Sequence, residues 1–358
     1  MVTTKGATSK GLHIPSLDGL RTVSFAIVFI AHAGWNRFIP GPFGVTVFFF
    51  LSGYLITTLS RLEFERHGTV AMGKFYLRRA LRILPPFYLV IALSLGLSWL
   101  HVVRPPTEPA SVIALLLHYA NYYIVAHDNG GFPAGTGVYW SLAVEEHFYF
   151  LFPWAYLALV RRKLSAQKQA TILLAVCGLF LLWRCALVFL MQASALRTSV
   201  ASDTRFDSLL FGCMLAVYGN PALDSSRFSE KTWKTLLFPL GIAGLLACFA
   251  IRADAFRETL RYSLQGLSLV PIFVCGVRYP GWLPMRLLNL RPIAFIGTLS
   301  YSLYLVHQVV QHVVGENLPQ MGLPAQAVLS LLGSFLLALL LYRFVEKPCA
   351  NLRRRLQG

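Results

Sequence analysis

The chain has 358 residues, 56% hydrophobic and only 13% charged, and its mean hydropathy of +0.59 sets it apart from soluble globular domains. A formal net charge of +17 would suggest nucleic acid as the partner of a soluble protein. Here the cations cluster between apolar runs that approach the ~20 residues needed to cross hydrocarbon, which argues against a nucleic-acid partner and for a polytopic helical protein of the lipid bilayer.

The first apolar run, Ser16–Trp35, carries three ionisable residues, Asp18, Arg21 and His32. A charge near the middle of a span costs about 2.5–3.5 kcal/mol on insertion scales, so such residues face a cavity or a partner. Arg21 and His32 are eleven positions apart, three turns plus about 20°, and project from one face roughly 16 Å apart along the helix. That spacing suits a tunnel with a fixed cation at one end and a proton-transfer group at the other. A packed, hydrogen-bonded histidine is the plainer alternative. A secretory signal is another, since Lys5 and Lys10 precede the run and Ala31-His32-Ala33 imitates a cleavage site; Asp18, Arg21 and the many later spans favour a retained helix.

In chain order, spans are expected at 16–35, 43–60, 83–102, 146–160, 169–192, 206–218, 235–251, 262–278, 292–312 and 323–343. The apolar piece 111–125 is ambiguous, and charge decides it. With ten spans and both termini cytoplasmic, and the border residues Arg278 and Arg343 counted with the loops they adjoin, 23 Lys and Arg fall in cytoplasmic segments and 7 in exterior ones. Making 111–125 a span turns the balance to 13 inside and 17 outside. The positive-inside rule prefers ten. Residues 103–145 then form an exterior excursion, with 111–125 re-entrant or interfacial and Gly130–Gly137 a flexible loop. The expected fold is an all-α integral membrane protein, a bundle of about ten transmembrane helices in one domain, 16–349, between a short cytoplasmic tail, 1–15, and a basic one, 350–358. The six cysteines sit singly, without disulfide or metal-ligand spacing, so no metal site is expected.

Several motifs carry candidate chemistry. Arg78, Arg79 and Arg82 precede a helix that Pro85-Pro86 is expected to stop or kink. Arg79 and Arg82 share a face, as do Arg78 and Arg82, and such a cluster grips phosphates through charge-assisted, bidentate bonds; an ordinary cytoplasmic border would look the same. Trp140 through Tyr149 leads into the fourth span, with Glu145 and Tyr149 on one face. Placed at the exterior boundary, Glu145 would lie at the depth of His32 and orient its imidazole. Arg205 and Asp207 open the short sixth span, and Arg184 lies within the fifth. Ser300, Tyr304 and His307 form a polar stripe in the ninth, a pattern that also serves to bond neighbouring helices.

Taken together and in order, Arg21-x10-His32, Phe48-Phe-Phe-Leu-Ser52-Gly53-Tyr-Leu, Phe75-Tyr-x-Arg78-Arg79-x-x-Arg82-x-x-Pro85, Trp140-Ser-Leu-x-x-Glu145-x-x-Phe148-Tyr149, Ser300-Tyr-x-x-Tyr304-Leu-x-His307 and Glu346-x-Pro348 resemble the membrane acyltransferase family 3 over about residues 12–350. The resemblance implies O-acylation of surface or secreted carbohydrates and glycosides, with His32 as catalytic base, Arg21 as an essential cation lining the pore, and Arg79 and Arg82 in an acyl-CoA site. Many relatives carry an exterior esterase-like domain after the spans, whereas this sequence runs to Arg353-Arg354-Arg355, so acceptor handling is expected from its own loops or a separate exterior protein.

The expected function is therefore transfer of an acyl group, acetyl by family precedent, from cytoplasmic acyl-CoA to a carbohydrate or glycoside hydroxyl outside the inner (plasma) membrane. His32, Glu145 and Arg21 are the expected catalytic residues and Arg78, Arg79 and Arg82 the cofactor contacts. Asp18, Trp140, Tyr149, Arg205, Asp207, Tyr304 and His307 are expected along the substrate path. No Ser or Cys occupies a nucleophile elbow, so direct transfer is favoured, with a transient acyl-His as the variant. A proton-coupled transporter or glycan flippase would also place Arg, His and Glu in spans, and a structural or regulatory protein would make His32 dispensable.

Overall fold

A computed structural model describes residues 14–104, 107–128 and 130–356, and every regular element among them is helical. The expected N-terminal tail, 1–15, falls almost wholly outside the described residues. α1 (Pro15–Ile30) runs into a wide π-helical turn, Ala31–Trp35. α2 (Gly41–His67) and α3 (Met72–Trp99) follow, then the short α4 (Pro109–Leu116) and α5 (Ala120–His127). Next come α6 (Trp140–Arg161), α7 (Ala166–Cys185), α8 (Ala195–Val200) and α9 (Ser202–Val217). α10 (Glu230–Thr232) passes through a π-helical turn into α11 (Phe238–Ala250), followed by α12 (Asp254–Glu258) and α13 (Leu260–Arg278). The last part holds α14 (Leu283–Arg286), α15 (Arg291–Thr298), α16 (Ser300–Asn317) and α17 (Leu323–Leu341), which continues through Tyr342–Glu346 into α18 (Lys347–Arg355).

Each of the ten expected spans corresponds to a helix. Seven are long and apolar enough to cross a membrane on those grounds, and an eighth if α15 and α16, which meet at 72°, act as one broken span. The two that fall short are α9, only 16 residues long, and α6, which carries Glu145, Glu146 and His147 in its first turns. α2 is the most buried of the long apolar helices, while α7, α11 and α17 leave most of their apolar side chains uncovered. Such surface is stable where hydrocarbon replaces water. At the centre, α2 and α9 approach so closely that a Cβ on Gly53 would lie 2.0 Å from Leu209 O, and one on Gly212 would lie 2.1 Å from Phe50 O. Small residues at a helix crossing allow this backbone contact.

Two expectations about local structure are corrected. The third span begins at Met72, so Arg78, Arg79 and Arg82 lie inside the helix, which passes through Pro85-Pro86 unbroken. A neighbouring helix bonds the same stretch, with Tyr301 Oη donating to Ile83 O at 2.8 Å. The piece 111–125 is two eight-residue helices separated by His118 in the left-handed region, φ 57°, and neither alone reaches the length of a span.

The second correction concerns Gly130–Gly137, which is not a free loop. Phe132, Ala134 and Thr136 are buried, and Ser94 Oγ donates to Ala134 O at 2.8 Å. Gly135 has φ +72°, and a Cβ there would come within 2.3 Å of Val309 N. The segment is pressed between α3 and α16, and α6 therefore starts from within the bundle rather than at its edge.

Candidate active site

α1, α2, α3, α6 and α16 enclose a cavity of about 300 Å³. Its polar wall comprises Asp18, Arg21, Ser52, Arg79, Arg82, Ser141, Glu145, Glu146, Tyr149, Ser300, Tyr301 and Tyr304; Leu17, Val45, Phe48, Phe49, Leu55 and Ile83 supply much of the rest. Arg21 Nη1 donates to Asp18 Oδ1 at 2.8 Å. Ser52 Oγ donates to Glu145 Oε1 at 2.7 Å. The Arg79 guanidinium lies over the Tyr149 ring, 4.7 Å from its centroid, so the ring's negative face holds the cation in place. A second, more apolar hollow of about 780 Å³ lies beyond this wall and shares Arg79, Glu146 and Tyr149 with it.

Phe48 and Tyr304 meet edge to face, 6.0 Å between centroids, and both line the cavity. Tyr304 is fixed by its hydroxyl, 2.6 Å from Ser141 Oγ and donating to Val138 O at 3.0 Å. Next to Tyr304, but outside the cavity wall, is a histidine pair. His307 is fully buried, its ring 5.5 Å from that of Tyr304, and His32 Nδ1 is 3.0 Å from His307 Nε2.

The backbone assigns the tautomers. His307 Nδ1 is 2.7 Å from Tyr304 O, and a carbonyl only accepts, so Nδ1 carries the proton. Neutral His307 then presents an unprotonated Nε2, which accepts from His32 Nδ1–H. His32 is left with its Nε2 lone pair free, on an imidazole that is exposed on its outer side. A chain of two hydrogen bonds thus turns His32 into an acceptor aimed away from its support. The π-helical turn that carries it is a distortion often found at functional sites.

The expected site residues divide into three groups. Asp18, Arg21, Arg79, Arg82, Glu145, Tyr149 and Tyr304 share one cavity, with His32 and His307 paired behind Tyr304. Glu145 does not orient His32, because α6 begins inside the bundle and places the carboxylate among the arginines. Arg78 turns away and pairs with Glu63 at 2.9 Å.

Arg205, Asp207 and Trp140 are not on the cavity wall. Arg205 is fully buried, donating to Ser199 O at 2.8 Å and Thr46 Oγ1 at 2.9 Å, and its guanidinium sits 4.2 Å from the Tyr262 centroid. Asp207 accepts from Arg184 at 2.7 Å with both side chains fully buried, and Arg184 also donates to Thr204 O, Thr259 O and Ser263. Trp140 packs on Phe49 and the Arg205 guanidinium. These residues pin α2, α7, α9 and α13 together.

Ser52, Glu146 and Tyr301 are cavity residues absent from the expected set. Ser52 and Tyr301 stand inside quoted motifs, and Glu146 adjoins Glu145, so adjacency was the available signal.

A family model for an acyltransferase domain, acyltransferase family 3, matches residues 14–343. The chain belongs to that family. Members similar to it include the peptidoglycan O-acetyltransferase OatA of Listeria monocytogenes, 26% identical over 353 residues, and the putative peptidoglycan O-acetyltransferase YrhL of Bacillus subtilis, 30% identical over 355. The O-acetyltransferase OatA of Staphylococcus aureus is 28% identical over 348 residues. Each match takes in 94% of this chain but only 55–57% of the relative, so the chain spans little more than half their length. No solved structure matches it.

Proposed function

We propose that this family member is a membrane O-acyltransferase that moves an acyl group, acetyl in the first instance, from acyl-CoA to a hydroxyl of a cell-envelope carbohydrate. The carrying observation is the juxtaposition of an arginine-rich cavity and a tautomer-locked histidine pair separated by one aromatic layer. The names of the similar proteins support acetyl as the group and peptidoglycan as the class of acceptor.

The donor enters from the cytoplasmic side with its phosphates near Arg79 and Arg82, and its extended arm crosses the cavity toward Tyr304. The thioester passes between Phe48 and Tyr304 to reach His32, which faces an acceptor arriving from outside. His32 Nε2 takes the hydroxyl proton as the acceptor oxygen attacks the thioester carbonyl. The C–O bond forms, the C–S bond breaks, and the departing thiolate takes up the proton that His32 Nε2 has accepted, giving the ester, free CoA and neutral His32. His307, held by Tyr304 O, keeps the His32 Nδ1–H occupied so that Nε2 alone works as the base. Arg21, tied to Asp18, supplies fixed positive charge along the donor path. In this reading the protein lies in the inner (plasma) membrane with both termini cytoplasmic, and residues 103–137 fold back from the exterior side.

The test is transfer of labelled acetyl from acetyl-CoA to cell-wall glycan in membranes carrying the protein. Replacing Arg79 and Arg82 together by Ala should raise the KM for acetyl-CoA at least tenfold, since each charge-assisted bond is worth about 1.5–3 kcal/mol. Movement of glycan without CoA and without ester formation would replace this reading by transport.

A further inference from the structure

The cavity walls are electrically balanced, with Asp18, Glu145 and Glu146 set against Arg21, Arg79 and Arg82. A ligand carrying several phosphates needs surplus cations, and these must come from beyond the walls. Arg78 is engaged with Glu63. Among the described residues, a further cation comes from α18. α18 packs against α3 and presents Arg353, its one half-buried arginine, close enough to feel the charges of Arg82 and Arg78. The position of α18 is fixed from the preceding turn, where Glu346 accepts from Ser302 of α16.

Arg79, Arg82 and Arg353 make no hydrogen bond or ion pair with any described residue. Each guanidinium offers five N–H donors in a fixed fork. Glu145 and Glu346 lie within electrostatic reach of Arg82 but bond other side chains, Ser52 and Ser302, so the fork of Arg82 keeps donors that match phosphate oxygens. We propose that Arg353 of α18 joins Arg82 in a phosphate site at the mouth of the cavity, which takes the phosphates of the nucleotide end of the acyl donor. The inference rests on the donor reading above. It makes the last helix part of the binding site and separates two parts of the ligand: Arg82 and Arg353 hold the nucleotide, and the cavity holds the arm. Phosphate could also reach this spot as a lipid headgroup, so the test has to distinguish the two sources.

The experiment compares acetyl-CoA with acetyl-pantetheine, which has the same thioester and arm but no phosphates, using protein reconstituted in phosphatidylcholine vesicles with and without phosphatidylglycerol. The readout is the ratio of kcat/KM for the two donors. Arg353→Gln should lower that ratio about tenfold, the loss expected of one charge-assisted contact, in both kinds of vesicle, and Arg353→Lys should recover part of it. Activity with acetyl-pantetheine shows in the same preparation that the variant is folded. An unchanged ratio, or an equal fall with both donors, overturns the phosphate site and leaves the donor reading intact. An effect confined to phosphatidylglycerol vesicles assigns Arg353 to lipid instead. Wild-type protein that uses neither thioester overturns the donor reading and this site with it.

Discussion

His32 depends on its neighbour for direction, and the two histidines should respond differently to substitution. His32→Ala removes the base and should lower transfer by roughly 10²–10⁴-fold, the usual contribution of a general base, with expression unchanged. His307→Leu removes only the acceptor for His32 Nδ1–H, so its effect should be smaller, and His307→Gln, whose side-chain oxygen can still accept, should restore much of the loss. Equal rates for Leu and Gln would mean that His307 only packs. Activity should fall with acidification, because a protonated His32 has no lone pair on Nε2, and rise again once the proton is released. The pH midpoint should be the same in Glu145→Gln as in wild type, since Glu145 bonds Ser52 and not the imidazole; a displaced midpoint would return Glu145 to the role its sequence position suggested. Residue types were legible in the sequence and partnerships were not. Arg21 and His32 could be paired by spacing because they share one helix. His307 and Glu145 come from other helices, and choosing between them needed the depth at which α6 begins.

The helices themselves were readable because hydrocarbon leaves the backbone no alternative, so long apolar runs become spans almost regardless of detail. What misled was punctuation learned from water-exposed chains. Glycine and proline near 130–137 and 85–86 suggest flexibility and a stop, yet Gly135 is there because the backbone of α16 leaves no room for a side chain. Gly135→Val should therefore displace the segment that starts α6 and abolish activity while the unaltered apolar helices still insert; full activity would show the contact to be loose. Arg205 and Asp207 misled in the opposite sense. An ionisable residue within a span is a functional candidate by default, but here Arg184 and Asp207 form a buried pair. Asp207→Asn should leave the Arg184 charge uncompensated and cost about 3–5 kcal/mol. That should appear as a lower thermal unfolding temperature in detergent with little change in the KM for acetyl-CoA. A changed KM at unchanged stability would put Asp207 back on the substrate path.

At the scale of the whole molecule, the open question is on which side of the membrane each end of the site lies, and α6 and α9 decide it. If both cross, 23 Lys and Arg face the cytoplasm and 7 the exterior. If neither crosses, Arg161, Arg162, Lys163 and Lys168 move outside while Arg197 and Arg205 move inside, giving 21 and 9. The positive-inside rule barely separates these arrangements, so packing has to. The 22 residues of α6 extend about 33 Å, enough to cross, and its Glu145 and Glu146 line the cavity instead of facing lipid. α9 is short, but nearly all its side chains are buried, with α2 and α7 packed against it, so it needs no apolar surface of its own. α9 falls short in length and α6 in apolarity, each for a reason that suits a helix crossing inside a bundle. The prediction is that the loop between α6 and α7 is cytoplasmic. Lys163 is exposed in that loop, so Lys163→Cys in a background with the six native cysteines replaced should resist a membrane-impermeant maleimide in intact cells and react after permeabilisation. Labelling in intact cells would mean that α6 does not cross, which would put Arg161 to Lys168 outside while the Arg79 and Arg82 mouth, set by α1 to α3, stays cytoplasmic.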